Sequence, residues 1–152
     1  MKKTFARASD KAEILHRLRR VRPDSVRRWG RMSAHQMVCH VTDAFRMALG
    51  QKPVSSTSTI VQRTLVKWIA LHAPLQWPPG IRTRPEVDQE GGGTRPIGFD
   101  ADVAELERIV EVVANTGSGF APAHPMFGKM SHPDWLRWSY LHMDHHLRQF
   151  GV

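Results

Sequence analysis

At 152 residues, with 41% apolar and 24% charged residues, the chain has the size and balance of one globular domain spanning 1–152, not of a disordered segment. Lys2 and Lys3 are followed by no apolar stretch of leader length, and nothing approaches the roughly 18 uninterrupted apolar residues of a membrane span, so a soluble, cytoplasmic protein without membrane contact is expected. A net charge of +8 raises the question of nucleic acid, while a single cysteine, Cys39, excludes an intrachain disulfide framework and a cysteine-rich zinc site.

The first helix is predicted over 11–22, with Asp10 as N-cap, Glu13 three positions on, and Ile14, Leu15, Leu18 and Val21 at core spacing before Pro23 and Asp24. Arg17, Arg19, Arg20, Arg22, Arg27, Arg28 and Arg31 make this region basic. A solvated helix face is favoured over a nucleic-acid footprint, because no recognition motif accompanies the charge. The second helix has the clearest start: Ser33 and Gln36 form a capping-box pattern, with Met32 and Met37 placed as a staple. Met37, Val41, Ala44, Phe45 and Ala48 share a face, and Gly50 stops the helix.

A third helix is predicted over 58–73 from Ile60, Val61, Leu65, Trp68, Ile69 and Leu71, closed by Pro74. The stretch 74–99, with five prolines including Pro74 and the run Gly91–Gly93, reads as a long crossover, serving as a lid or as a plain connection. Asp100 is expected to cap the next helix, whose core residues are Val103, Leu106, Ile109, Val110 and Val113. Ser131 caps the last, Pro133 is tolerated in its first turn, and it runs nearly to Val152. The fold class is all-α, with no internal repeat and no strand alternation.

Nine histidines carry the functional signal. In the last helix, at about 100° per residue, Trp135, Trp138, His142, His146 and Gln149 fall on one face. Imidazoles spaced i and i+4 can share one metal ion, although the intervening Met143, Asp144 and His145 do not make the His-Glu-x-x-His protease signature. In the second helix His40 lies within the apolar arc, while His35 and Cys39 fall on the far side. His40 stands about 10 Å from the start of its helix and the His142–His146 pair about 12 Å from the end of the other, so antiparallel packing would bring the three to similar depth. His16, His35, His72, His124 and His132 read as ordinary structural or surface residues. His145 sits at the edge of the histidine face.

The stretch Trp29-Gly30-Arg31-Met32-Ser33, continued by His35-Gln36-Met37-Val38-Cys39-His40, resembles the DinB-like superfamily, as do the loop His124-Pro125-Met126-Phe127-Gly128 and the ending Leu141 to Phe150. The similarity is greatest to a bacterial branch of unassigned function. It implies a four-helix bundle with a long crossover, to which the helix at 58–73 is an extra element. It also implies that His40, His142 and His146 match a metal-binding triad for zinc or nickel, and that homodimers form. Better-known relatives use a low-molecular-weight thiol. A metal-dependent enzyme passing such a thiol to an electrophilic small molecule is therefore the leading expectation, with Gln149, Asp144 and His145 as supports for the metal ligands. Trp135 and Trp138 would wall the pocket or fill the core. The rival expectations are a metal-dependent hydrolase and a non-catalytic dimeric helical binding module associated with nucleic acid through the early arginines.

Overall fold

Two serines set the frame. The Ser33 hydroxyl accepts from the Gln36 N–H at 3.1 Å while the Gln36 amide oxygen accepts from the Ser33 N–H at 2.9 Å, and Ser131 and Asp134 repeat the exchange at 3.3 and 3.2 Å. These reciprocal bonds satisfy N–H groups that the first turn of a helix leaves without partners. They start α2 (Ala34–Ala48) and α5 (His132–Gln149) where expected. The computed structural model describes residues 2–56 and 58–152, so Met1 and Thr57 of the expected domain lie outside it; the described residues form helices and no strand.

Two other helix starts differ from expectation in the same way: the acid expected at the cap lies inside the first turn. The first helix, α1 (Ala8–Leu18), begins after Arg7 without a side-chain cap and ends four residues before Arg22. Asp10 lies inside its first turn, accepting from the Thr4 N–H at 2.9 Å and the Arg7 Nε at 2.7 Å, and so fastens the N-terminal segment to the helix. Likewise α4 (Phe99–Asn115) starts after Gly98, with Asp100 in its first turn instead of at the cap. Between them, 60–72 is helical, with a π-helical turn at Gln62–Val66 leading into α3 (Lys67–His72). The helix expected over 58–73 is thus present, but its apolar residues find little cover. Ile60, Val61, Leu65 and Trp68 are more than half exposed, and only Leu71 is buried. The long stretch that follows holds one 3-10 turn, Pro85–Val87.

Helices α1, α2, α4 and α5 surround one hydrophobic core in which Ile14, Leu18, Met37, Phe45, Leu106, Ile109, Trp135 and Met143 are almost wholly buried. Helix α2 packs most extensively against α4, and it also meets α5, which in turn packs on α1. Twelve of the fifteen residues of α2 are buried, so polar side chains on it face protein and must find partners there. Among the described residues no helix is long and apolar enough to cross a membrane. Three of the seven early arginines meet acids: Arg17 pairs with Glu13 and Asp144, Arg19 with Glu107, and Arg31 with Asp88 and Glu90.

Candidate metal centre

Helix α2 carries His40 into the interior and α5 carries His142 and His146 one turn apart on its buried side. The three rings meet with centroids 5.4 Å (His40–His142), 4.8 Å (His40–His146) and 4.9 Å (His142–His146) apart. One ring nitrogen of each lies within 4.8 Å of the other two.

Hydrogen bonds fix two of the three tautomers. The His40 Nδ1–H donates to the Val87 carbonyl at 2.7 Å, leaving Nε2 as its basic nitrogen. The Gln149 Nε2 donates to the Trp29 carbonyl at 2.9 Å, so the amide oxygen of Gln149 is the acceptor that takes the His146 Nδ1–H at 3.0 Å. This again leaves Nε2 free. In His142 the Nε2 is buried and has no hydrogen-bond partner among the described residues. A buried imidazole nitrogen without a partner, beside two others whose outer nitrogens are tied to oxygen acceptors, is the arrangement that imidazole metal ligands adopt. Burial lowers the pKa of all three, and in His142 and His146 the neighbouring imidazoles lower it further. The rings are therefore held neutral, the form that binds a cation. Three imidazole nitrogens are donors that suit a divalent transition-metal ion.

The supports for this geometry lie outside the histidine face. Val87 reaches His40 because the 85–94 stretch is anchored by Asp43, one turn after His40 and wholly buried. Its carboxylate accepts the Thr94 N–H at 2.7 Å and the Thr94 hydroxyl at 2.8 Å, and Lys52 Nζ lies 3.3 Å away. Through Val87 the crossover thus supplies one wall of the centre. The glycine run within it is needed for close approach, since a Cβ on Gly93 would stand 2.7 Å from the Asp88 carbonyl. Gly30, at φ +75°, makes room for the Gln149 amide; a Cβ there would lie 2.7 Å from Gln149 Nε2. Asp43 gave a usable sequence signal, an acid beside the apolar arc of a helix, whereas a backbone carbonyl such as that of Val87 gives none.

The remaining expected site residues divide. Trp135 and Trp138 are core residues, and the Trp138 ring contacts His142 at 4.7 Å between centroids. Asp144 is taken up by Arg17 and Arg148, at 2.9 Å each, and makes no hydrogen bond to a site histidine among the described residues. His145 is buried between Trp29 and Trp77, at 5.8 and 6.2 Å, beside His146 at 5.1 Å. With His146 and Gln149 it lines a pocket of about 410 Å³, whose rim includes Trp29, Arg31 and Arg82. A larger cavity of about 520 Å³, lined by Arg63, Lys67, His124 and Lys129, touches none of the three triad histidines. His124, expected to be ordinary, is buried; its Nδ1 accepts the Met126 and Phe127 N–H groups, and burial pushes it down to about 3.

A family model described as protein of unknown function (DUF1569) matches residues 2–151. The chain belongs to that family. No curated protein and no solved structure matches it.

Proposed function

We propose that this DUF1569 chain is a metal-dependent enzyme of the DinB-like kind, and that its four-helix bundle serves to present a small thiol at the His40–His142–His146 centre to an electrophilic small molecule. The observation that carries this reading is the meeting of three neutral imidazoles, one with a buried Nε2 that has no partner among the described residues, with His146 of the three lining a pocket. Three protein ligands leave a position for an exogenous group, as catalytic sites do and closed structural sites do not. When bound there, a zinc- or nickel-class ion supplies the positive charge that turns a thiol into a thiolate near neutral pH.

The protein's own groups do the rest. Val87 and Gln149 hold two rings in fixed tautomers, so no reorientation is needed when a ligand arrives. Trp29 and Trp77 flank His145, and Trp29 gives the pocket an apolar wall. On the rim, Arg82 has no acidic partner among the described residues, whereas Arg31 is already held by Asp88 and Glu90. Arg82 is thus free to orient a carboxylate or phosphate on the thiol or its acceptor. The one acid lining this pocket, Asp88, is bound to Arg31, which disfavours the hydrolase reading because no carboxylate is left to act as general base.

The test is to incubate zinc- and nickel-loaded protein with a panel of anionic small thiols and an activated aryl halide, reading the thioether by mass spectrometry. The expected result is turnover that requires metal and disappears in His40→Ala. Conjugation no faster than with His40→Ala for every thiol would remove the transferase reading. Hydrolysis of activated esters without thiol would replace it with the hydrolase.

A further inference from the structure

On the far side of α2 from His40, a second group of ligand-type side chains meets. His35 and Cys39 stand four residues apart on α2, and Asp102 reaches them from the first turn of α4; one ligand atom of each lies within 4.8 Å of the others. A single carboxylate oxygen, Asp102 Oδ2, collects all the available protons: the His35 Nε2 donates at 2.6 Å, the Cys39 thiol at 3.7 Å and the Ile97 N–H at 3.2 Å. Neither helix needs to move to assemble the group. The His35 ring is held edge-to-face against Phe99 at 5.4 Å, and the capping box at Ser33 fixes the turn that carries it.

We propose that His35, Cys39 and Asp102 form a second divalent-cation site of the zinc class, separate from the histidine triad, that clamps α2 to α4. A tetrahedral zinc ion with ordinary bond lengths sets its sulfur and oxygen ligands about 3.6 Å apart and its nitrogen and oxygen ligands about 3.4 Å apart. The sulfur–oxygen distance is already 3.7 Å. The nitrogen–oxygen pair, at 2.6 Å, is drawn in by a shared proton and opens by less than ~1 Å when a cation takes the proton's place. Uptake releases the thiol proton of Cys39 to solvent, and His35 gives up its Nε2 proton and takes one at Nδ1, so that it binds through Nε2 as the neutral imidazole. Thiolate, imidazole and carboxylate together select a borderline-soft cation over magnesium or calcium. Cys39 is 3% exposed, while the His35 and Asp102 side chains are 22% and 25% exposed, so the sulfur is shielded and water can complete the coordination from the open side.

Cys39 is the chain's one cysteine, so a thiolate-to-cobalt charge-transfer band in the near ultraviolet reports this site alone. Anaerobic titration of the full chain with cobalt chloride is expected to raise that band in the wild type and equally in His142→Ala/His146→Ala. It should vanish in Cys39→Ser and require at least tenfold more cobalt in Asp102→Asn and in His35→Gln. Zinc should displace the band and raise the melting temperature of His142→Ala/His146→Ala, but not that of the same variant carrying Cys39→Ser. No band in folded wild-type protein would overturn the proposal and leave hydrogen bonds as the whole role of the cluster. A band unchanged in Asp102→Asn and His35→Gln, or one lost with the triad histidines, would overturn it as well. These readouts depend on neither turnover nor the triad's occupancy.

Discussion

Replacing Gln149 with leucine separates the positioning of the triad from its mere presence. Gln149 is 4% exposed and joins the Trp29 carbonyl to His146 Nδ1. Leucine fills much the same volume but leaves an acceptor and a donor without partners in a buried place. Each orphan costs about 1–3 kcal/mol, and the leucine recovers part of this as apolar burial. A net loss of ~2 kcal/mol, or roughly 4–8 °C in melting temperature for a chain of this length, is expected in metal-free protein. The His146 ring is then free to turn, and the loss of an oxygen partner on a metal-bound imidazole lowers affinity by about 10–100-fold. Gln149→Glu makes the contrast: it keeps an acceptor for His146 and sets a second, acceptor-only oxygen against the Trp29 carbonyl in place of the donor. Its zinc affinity should stay within a few-fold of wild type while its metal-free stability falls. Zinc competition against a chromophoric chelator, with thermal melts of the metal-free proteins, reads both quantities. Wild-type affinity in Gln149→Leu would refute the view that this relay sets the ring.

Three further outcomes follow from the same structure. Gly30→Ala, strained at φ +75° and crowding Gln149 Nε2, should cost about 1–2 kcal/mol and weaken zinc binding in the manner of Gln149→Leu; stability loss with unchanged affinity would show that the Gln149 amide has room to adjust. Asp43→Ala should cost about 3–5 kcal/mol in urea unfolding, because it strands Lys52 and Thr94 beside a buried void, and should open 85–94 to proteolysis; a change below ~1 kcal/mol would remove Asp43 as the anchor. His124 is held at about 3 when folded, against about 6.5 when unfolded, so below pH ~6.5 the unfolded chain takes up a proton that the folded chain refuses. Stability should therefore fall with acidity from that point down to about pH 3, and His124→Asn, which keeps an acceptor for the Met126 and Phe127 N–H groups, should flatten the slope by close to one proton; an unchanged slope in metal-free protein would contradict this.

What the sequence disclosed follows the range of the forces involved. Capping is local, so Ser33 with Gln36 and Ser131 with its first turn marked two helix starts. The histidine cluster was legible because 3.6-residue spacing on one helix and depth on another are both arithmetic. Asp10 and Asp100 misled as caps because Asp10 bonds backward to Thr4 and Arg7, and because Gly98 starts α4, with Asp102 turned to His35. At 60–69 the helix was legible and its exposure was not: periodicity shows that a helix has an apolar face but not whether the fold supplies anything to cover it. The Val87 carbonyl and the Asp43–Thr94 anchor were invisible, being contacts between residues some fifty positions apart, one of them through main chain alone. The His35–Asp102 contact was missed for the same reason, and His35 looked like surface.

The most direct test of the central claim is metal content by elemental analysis of untagged protein, compared across wild type, Cys39→Ser and His142→Ala/His146→Ala. A zinc- or nickel-class ion retained in Cys39→Ser at about one per chain, and lost from the triad in the double variant, is the predicted result. A Cys39→Ser protein that carries no ion and takes up none from added zinc or nickel would contradict it, and would make the three histidines a packed, neutral part of the core.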